Sequence, residues 1–124
     1  MTENKPKILI AEDVESNFLY LNAVLTRIDA TIFWAKNGRE AIDIFNQEKK
    51  LDLILMDLQM PEMNGYEATR IIKNEDPSIP VIAQTAYAMS DDRKKALEAG
   101  CDDYLAKPIK SQALMNIVEK YIHE

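Results

Sequence analysis

Leu51-Asp52-Leu53-Ile54-Leu55-Met56-Asp57-Leu58-Gln59-Met60-Pro61-Glu62-Met63-Asn64-Gly65 is the stretch from which the rest of the chain is read. Four apolar residues, Leu53 to Met56, run straight into a carboxylate, and a proline and an Asn-Gly pair follow. A short unbroken apolar run is the pattern of a strand buried on both faces. Asp57 then stands where a central strand leaves the core, and a charge there needs partners. This reading makes Asp57 the reacting group. The Pro61 to Gly65 tail is the loop that starts the next helix.

Working outward, the same signature recurs on both sides. Upstream, Lys7 to Ala11 reads as a buried strand ending at Glu12-Asp13. A helix of roughly Glu15 to Ile28 follows, with Leu21, Val24, Leu25 and Ile28 on one face and Asn17 on the same face near its first turn. Leu19 lies on the opposite side, flanked by Phe18 and Ala23, beyond what a core stripe needs. Thr31 to Ala35 is a second strand, rich in β-branched and aromatic residues. Asn37-Gly38 is a turn, and a helix of about Arg39 to Gln47 leads to Lys49-Lys50 and the third strand.

Downstream, a helix of about Tyr66 to Asn74 precedes a loop, and Val81 to Gln84 forms a fourth strand ending at Thr85. Ser90 suits an N-cap for a helix through Glu98, and Gly100 suits its C-terminal stop. Asp103 to Ala106 is a fifth strand ending at Lys107-Pro108, and a last helix runs from about Ser111 to Tyr121. Strands alternating with helices imply an α/β fold, a five-stranded parallel sheet wound (βα)5 with helices on both faces. In such sheets the ligand crevice lies beyond the carboxyl ends of the strands.

Those ends carry Glu12, Asp13, Asp57, Thr85 and Lys107. Carboxylates in proximity raise each other's pKa, and a hard divalent cation relieves the repulsion. Mg²⁺ takes oxygen ligands and keeps waters that phosphate oxygens replace. A carboxylate is itself a nucleophile in aspartyl-phosphate chemistry, which otherwise needs positioning and charge neutralisation. The cation and Lys107 supply the neutralisation, and Thr85 a hydrogen bond. Taken singly, Asp57 would be a turn residue, Lys107 a solvated cation and Thr85 a strand former. The set is what carries the functional reading.

Composition agrees. With 124 residues, 47% apolar and 29% charged, the chain is long enough for one ordinary globular domain, spanning 1–124. A net charge of −6 argues against direct nucleic-acid binding. The lone Cys101 rules out an internal disulfide and fits a reducing compartment, and no apolar run approaches a membrane span. A cytoplasmic location without membrane contact is expected. Cys101 reads as a small buried residue, and His123 lies in a tail unsuited to phosphohistidine chemistry.

The acidic pair Glu12-Asp13, the Met56-to-Gly65 block, Thr85-Ala86 and Gly100-Cys101-Asp102-Asp103-Tyr104-Leu105-Ala106-Lys107-Pro108 together resemble the receiver domain of two-component response regulators over essentially the whole chain. Asn17, Gln59, Met60-Pro61 and Thr85-Ala86-Tyr87-Ala88-Met89 are most similar to receivers of hybrid sensor histidine kinases. The resemblance implies that Asp57 accepts a phosphoryl group from a histidine of a sensor kinase or histidine phosphotransfer domain. It implies Mg²⁺ on Asp13, Asp57 and the Gln59 carbonyl, with Glu12 acting through water. Lys107 would bind the phosphoryl group, Thr85 would turn toward it, and Tyr104 would rotate inward as the coupled switch. It also implies the flavodoxin-like strand order 2-1-3-4-5 and a cis peptide before Pro108. Glu12 stands where the family also uses Asp, and no essential position is missing.

Further expectations follow. The Leu19, Phe18 and Ala23 surface is a docking face for a partner's helical bundle. The fourth helix, fifth strand and fifth helix form the signalling surface and a homodimer face. Tyr87 is either a plain loop residue or a group that restricts water at the site. The chain ends after the fifth helix, so no output domain is expected in it. The module turns over no separate substrate. A rival reading is an aspartyl-nucleophile phosphatase for a phosphorylated metabolite, but Gln59 occupies the place of its second acid and is no general acid. A flavodoxin-like cofactor binder is disfavoured by the acidic, glycine-free loop from Glu12 to Ser16.

Overall fold

The computed structural model describes residues 5–48, 50–60, 63–85 and 90–122, with backbone alone at 90–92. Tyr87, His123, Ala86 and the Ser90 cap lie outside the described residues. The elements alternate as expected: β1 (Lys7–Ala11), α1 (Glu15–Leu25), β2 (Thr31–Ala35), α2 (Gly38–Glu48), β3 (Leu53–Asp57), α3 (Gly65–Glu75), β4 (Val81–Thr85), α4 (Ser90–Ala99), β5 (Asp103–Ala106) and α5 (Ser111–Tyr121). All strand pairs are parallel, in the order β2-β1-β3-β4-β5.

The burial pattern explains that order. Every residue of β3 and β4 is buried, as expected of inner strands covered on both faces. The edge strands β2 and β5 keep partly exposed residues. Ile8, Ile10, Leu53, Leu55, Ile82 and Leu105 point to one face, where Leu21, Val24 and Leu25 of α1 and Leu114, Ile117 and Val118 of α5 cover them. Leu9, Ile54, Met56, Val81 and Ala83 point to the other, under Ala41 and Phe45 of α2, Ala68 and Ile72 of α3, and Ala96 of α4. The period-2 alternation of a strand therefore assigns each residue to one helical layer.

Local chemistry sets the boundaries. Asn37 and Asn64 precede α2 and α3, and their Oδ1 atoms accept the backbone N–H of Glu40 (2.8 Å) and Glu67 (3.0 Å). These are N-caps, each with a Glu three residues on. The first helix is shorter than its apolar spacing suggests. It ends at Leu25 because the Thr26 amide is shared between Asn22 O (3.1 Å) and Ala23 O (3.3 Å), and the next two turn to carbonyls three residues earlier, Arg27 to Val24 and Ile28 to Leu25. That tighter winding closes the helix and leaves Ile28 half-buried beyond it. Gly100, at φ +112°, makes the left-handed stop after α4.

At the edge where β4 and β5 begin, one ammonium ties three segments. Lys73 Nζ donates to Pro77 O (2.9 Å), Ile79 O (2.8 Å) and Asp102 Oδ2 (2.9 Å). The same Asp102 oxygen accepts the Val81 N–H at 2.9 Å. No described helix is long and apolar enough to cross a membrane.

Candidate functional site

Strand register builds the site. Ala11 pairs with Met56, so Glu12 comes level with Asp57, and Asp57 pairs with Gln84 on β4. Glu12, Asp57 and Gln84 thus continue the apolar rows of β1, β3 and β4 that face α1 and α5. Gln84 pairs with Leu105, and Lys107 follows two residues later. Four polar side chains cap four adjacent strands on one face.

Their geometry is close. Carboxylate oxygens of Glu12, Asp13 and Asp57 lie within 4.8 Å of one another. Lys107 Nζ donates to Asp57 Oδ2 at 2.9 Å and stands 3.5 Å from Glu12 Oε1. Gln59 N–H donates to Asp57 Oδ1 at 3.0 Å, and Val14 N–H to Glu12 Oε2 at 3.2 Å. Glu12 and Asp57 are buried, whereas Asp13 is exposed and opens the cluster to solvent.

Burial pushes the Glu12 carboxyl above its ordinary range, and the Asp57 charge adds to that against the pull of Lys107. Burial alone would lower the Lys107 ammonium, but the hydrogen bond and charge of Asp57, with Glu12 behind them, win and hold it above its usual value. The Glu12 Oε1 atom is buried with no hydrogen bond and meets only the 3.5 Å ion pair with Lys107. Hard oxygen donors facing one another with one such atom suit a small divalent cation, and the set fits Mg²⁺.

The backbone frames this cluster. Lys107 N–H donates to Thr85 O at 2.7 Å, which fixes the end of β5 to the end of β4. The Lys107-Pro108 peptide is cis. Thr85 is buried at the same edge. Gly65 packs on the Asp57 backbone so closely that a Cβ there would sit 2.2 Å from Asp57 O. The Trp34 indole N–H donates to Glu12 O at 2.8 Å, and Phe18 stacks on that indole at 4.3 Å.

The structure therefore brings Glu12, Asp13, Asp57 and Lys107 together, with Thr85 at the same edge and the Gln59 amide on Asp57. Tyr104 stands apart as a half-buried residue, its ring 5.0 Å from the Arg93 guanidinium of α4. Sequence reasoning missed Gln84 and Trp34. Parity along β4 puts Gln84 on the face of Ile82, but only register puts it beside Asp57. No sequence signal announces the Trp34 contact, which depends on register between β2 and β1.

Known proteins can now be set beside this geometry. The chain is 42% identical over 130 residues to hybrid signal transduction histidine kinase I of Dictyostelium discoideum, covering 95% of this chain and 8% of that protein. The chain thus spans a small part of that relative's length. The receiver domain of the Saccharomyces cerevisiae response regulator Ssk1, solved with the histidine phosphotransfer protein Ypd1, superposes with a TM-score of 0.88 at 33% identity, covering 98% of this chain and 91% of that one. The receiver domain of the sensor histidine kinase PA1611 of Pseudomonas aeruginosa, with magnesium coordinated in its active-site cleft, gives a TM-score of 0.85 at 35% identity, covering 95% and 98%. Residues 8–119 match the response regulator receiver domain family, and the chain belongs to it.

Proposed function

We propose that residues 1–124 form one phosphoacceptor signalling domain, in which Asp57 takes a phosphoryl group from a phosphohistidine of a sensor kinase or phosphotransfer protein. The observation that carries this is the Lys107–Asp57 contact of 2.9 Å inside the three-carboxylate cluster. Asp13, Asp57 and the Gln59 carbonyl would hold Mg²⁺, with Glu12 acting through water. Bound there, a hard divalent cation offsets negative charge on the transferring group.

In the transfer, an Asp57 carboxylate oxygen bonds to phosphorus as the bond to the histidine nitrogen breaks. The electron pair of that bond stays with the imidazole. Lys107 neutralises phosphoryl oxygens, and Thr85 donates a hydrogen bond to one of them. The acyl phosphate then returns to carboxylate by hydrolysis, so no separate substrate is turned over. Gln59 cannot serve as a general acid, which leaves a metabolite phosphatase without support.

Thr85 and Tyr104 would report the added charge to the surface of α4, β5 and α5. That surface is also the proposed homodimer face, which sedimentation of the phosphorylated protein tests. On α1, Leu19 is 53% exposed, and Phe18 is held by its stack on Trp34. This face of α1 is the proposed seat of the donor's helical bundle, and the solved Ssk1–Ypd1 pair shows that one related receiver does meet a phosphotransfer protein. Nucleic acid and membrane are not among the proposed partners, and the cytoplasm is the proposed compartment.

Acid-labile labelling by acetyl phosphate with Mg²⁺ tests the assignment. The parent is expected to label and Asp57→Asn to remain unlabelled. Full labelling of that variant would refute Asp57 as acceptor. Transfer from a phosphohistidine donor to Leu19→Asp tests the α1 face, and an unaltered rate would remove it.

A further inference from the structure

Gln84 is a fully buried residue whose side-chain amide has no hydrogen-bond partner at either atom. It lies in an inner strand where its neighbours on the same face, Ile82 and Leu105, are apolar. A buried amide without partners weighs against folding, so its presence calls for an explanation. Two features of its surroundings supply one.

First, Gln84 is the strand partner of Asp57. Second, it lines a cavity of about 390 Å³ whose wall also includes Glu12, Asn17, Tyr20, Lys107 and Pro108. The only other buried side-chain atom without a hydrogen-bond partner among the described residues is Glu12 Oε1, in the wall of the same cavity. The Gln84 amide therefore shares one sheet face and one cavity wall with the Lys107 ammonium and the Glu12 carboxylate.

We infer that Gln84 is a positioning residue for the phosphoacceptor site: its amide is the neutral acceptor that takes the Lys107 ammonium when Asp57 gives its oxygens to a cation. This deepens, and rests on, the reading of the acidic cluster as a divalent-cation site. In the metal-free protein, Lys107 holds Asp57. Cation binding at Asp57 competes for the carboxylate that holds Lys107, and an ammonium with only 24% of its side chain exposed gains from another acceptor. A carboxylate in that place would hold Lys107 away from an incoming phosphoryl group. An amide oxygen binds it weakly enough to release it. The Gln84 N–H group, turned to Glu12 Oε1, would fix the amide with its oxygen toward Lys107.

The test is a Mg²⁺ titration followed by NMR on the amides of Val14 and Gln59, which donate to Glu12 and Asp57. It compares the parent, Gln84→Met and Gln84→Leu, each with Lys107 and with Lys107→Ala. Both Gln84 variants are expected to fold, because an unpartnered amide becomes an apolar side chain of similar size. They are expected to weaken Mg²⁺ binding about tenfold, as for the loss of one hydrogen bond to a charged group. In the Lys107→Ala background the same changes should cost about twofold or less, since coupling through Lys107 is then gone. Unchanged affinity in both variants overturns the inference, as does an equal loss in both backgrounds. Failure of both variants to fold overturns it in favour of a purely structural amide. A parent that shows no Mg²⁺ response overturns the cation-site reading itself, and the inference with it.

Discussion

Lys107 Nζ and Asp57 Oδ2 meet at 2.9 Å although 50 residues separate them in the chain. The ammonium holds together a cluster of carboxylates that would otherwise repel. Lys107→Ala should destabilise the metal-free protein by about 1–3 kcal/mol, less than for a fully buried pair because Lys107 keeps some solvent contact. Mg²⁺ should then stabilise the variant more than it does the parent, because no ammonium competes for Asp57. Urea unfolding with and without Mg²⁺ checks this, and an equal effect of Mg²⁺ on both proteins would contradict it.

Gly65 carries no left-handed backbone strain, and its constraint is steric. A Cβ at that position would lie 2.2 Å from Asp57 O and 2.9 Å from Leu58 Cα, both backbone atoms that cannot swing away. Gly65→Ala should cost about 3 kcal/mol, as for overpacking in a core. It should also slow phosphorylation by displacing the end of β3. Thermal unfolding and acetyl phosphate labelling read the two effects, and a parental melting temperature would argue against the contact.

Asp103 Oδ2 accepts from Lys120 Nζ at 3.0 Å and from the Tyr121 hydroxyl at 3.1 Å. Burial pushes its carboxyl up, but these bonds and the Tyr104 N–H outweigh burial and hold it below the ordinary value of 3.8. A lowered carboxyl binds its proton less well folded than unfolded, so its stabilisation is present above pH 3.8 and is lost as pH falls through the folded value. Asp103→Asn should flatten the acid limb of stability against pH below about 4 and leave the neutral side shifted by a constant amount. An acid limb identical to the parent's would rule this out.

The Cys101 thiol is buried against Thr69, and burial pushes its pKa up to about 11. Thiolate is the reactive form, so the folded protein should resist thiol reagents at pH 8 and react on addition of denaturant. Rapid modification of the native protein would show that the link between α4 and β5 opens far more readily than its packing on Thr69 implies.

Much of the site was legible because strand ends are. Apolar runs in β1 and β3 stop at Glu12 and Asp57, β4 ends at Thr85, and alternation of strand and helix brings parallel strand ends to one edge. What could not be read was register. Gln84 looks like one polar residue in a buried run until Asp57 is known to be its neighbour. The Trp34 bond to the Glu12 carbonyl depends on the same information. The end of α1 was hidden differently: Ile28 keeps the helical spacing, but hydrogen bonding changes at Thr26, and apolar periodicity does not report hydrogen bonds. The caps at Asn37 and Asn64 were readable, since each precedes a Glu by three residues.

Lys73 acquires a mechanical meaning from its three acceptors and their place. They join α3, the segment after it and the start of β5 at the rim opposite the carboxylates. Asp102 extends the joint to the first amide of β4. Those strands are thus clamped at one end, and at the other they carry charges that a phosphoryl group would rebalance. A sheet held in this way behaves as a cantilever. A load at Asp57 would then be borne at Lys73 and would move most the far ends of β4 and β5, where the Lys107 N–H bonds to Thr85 O.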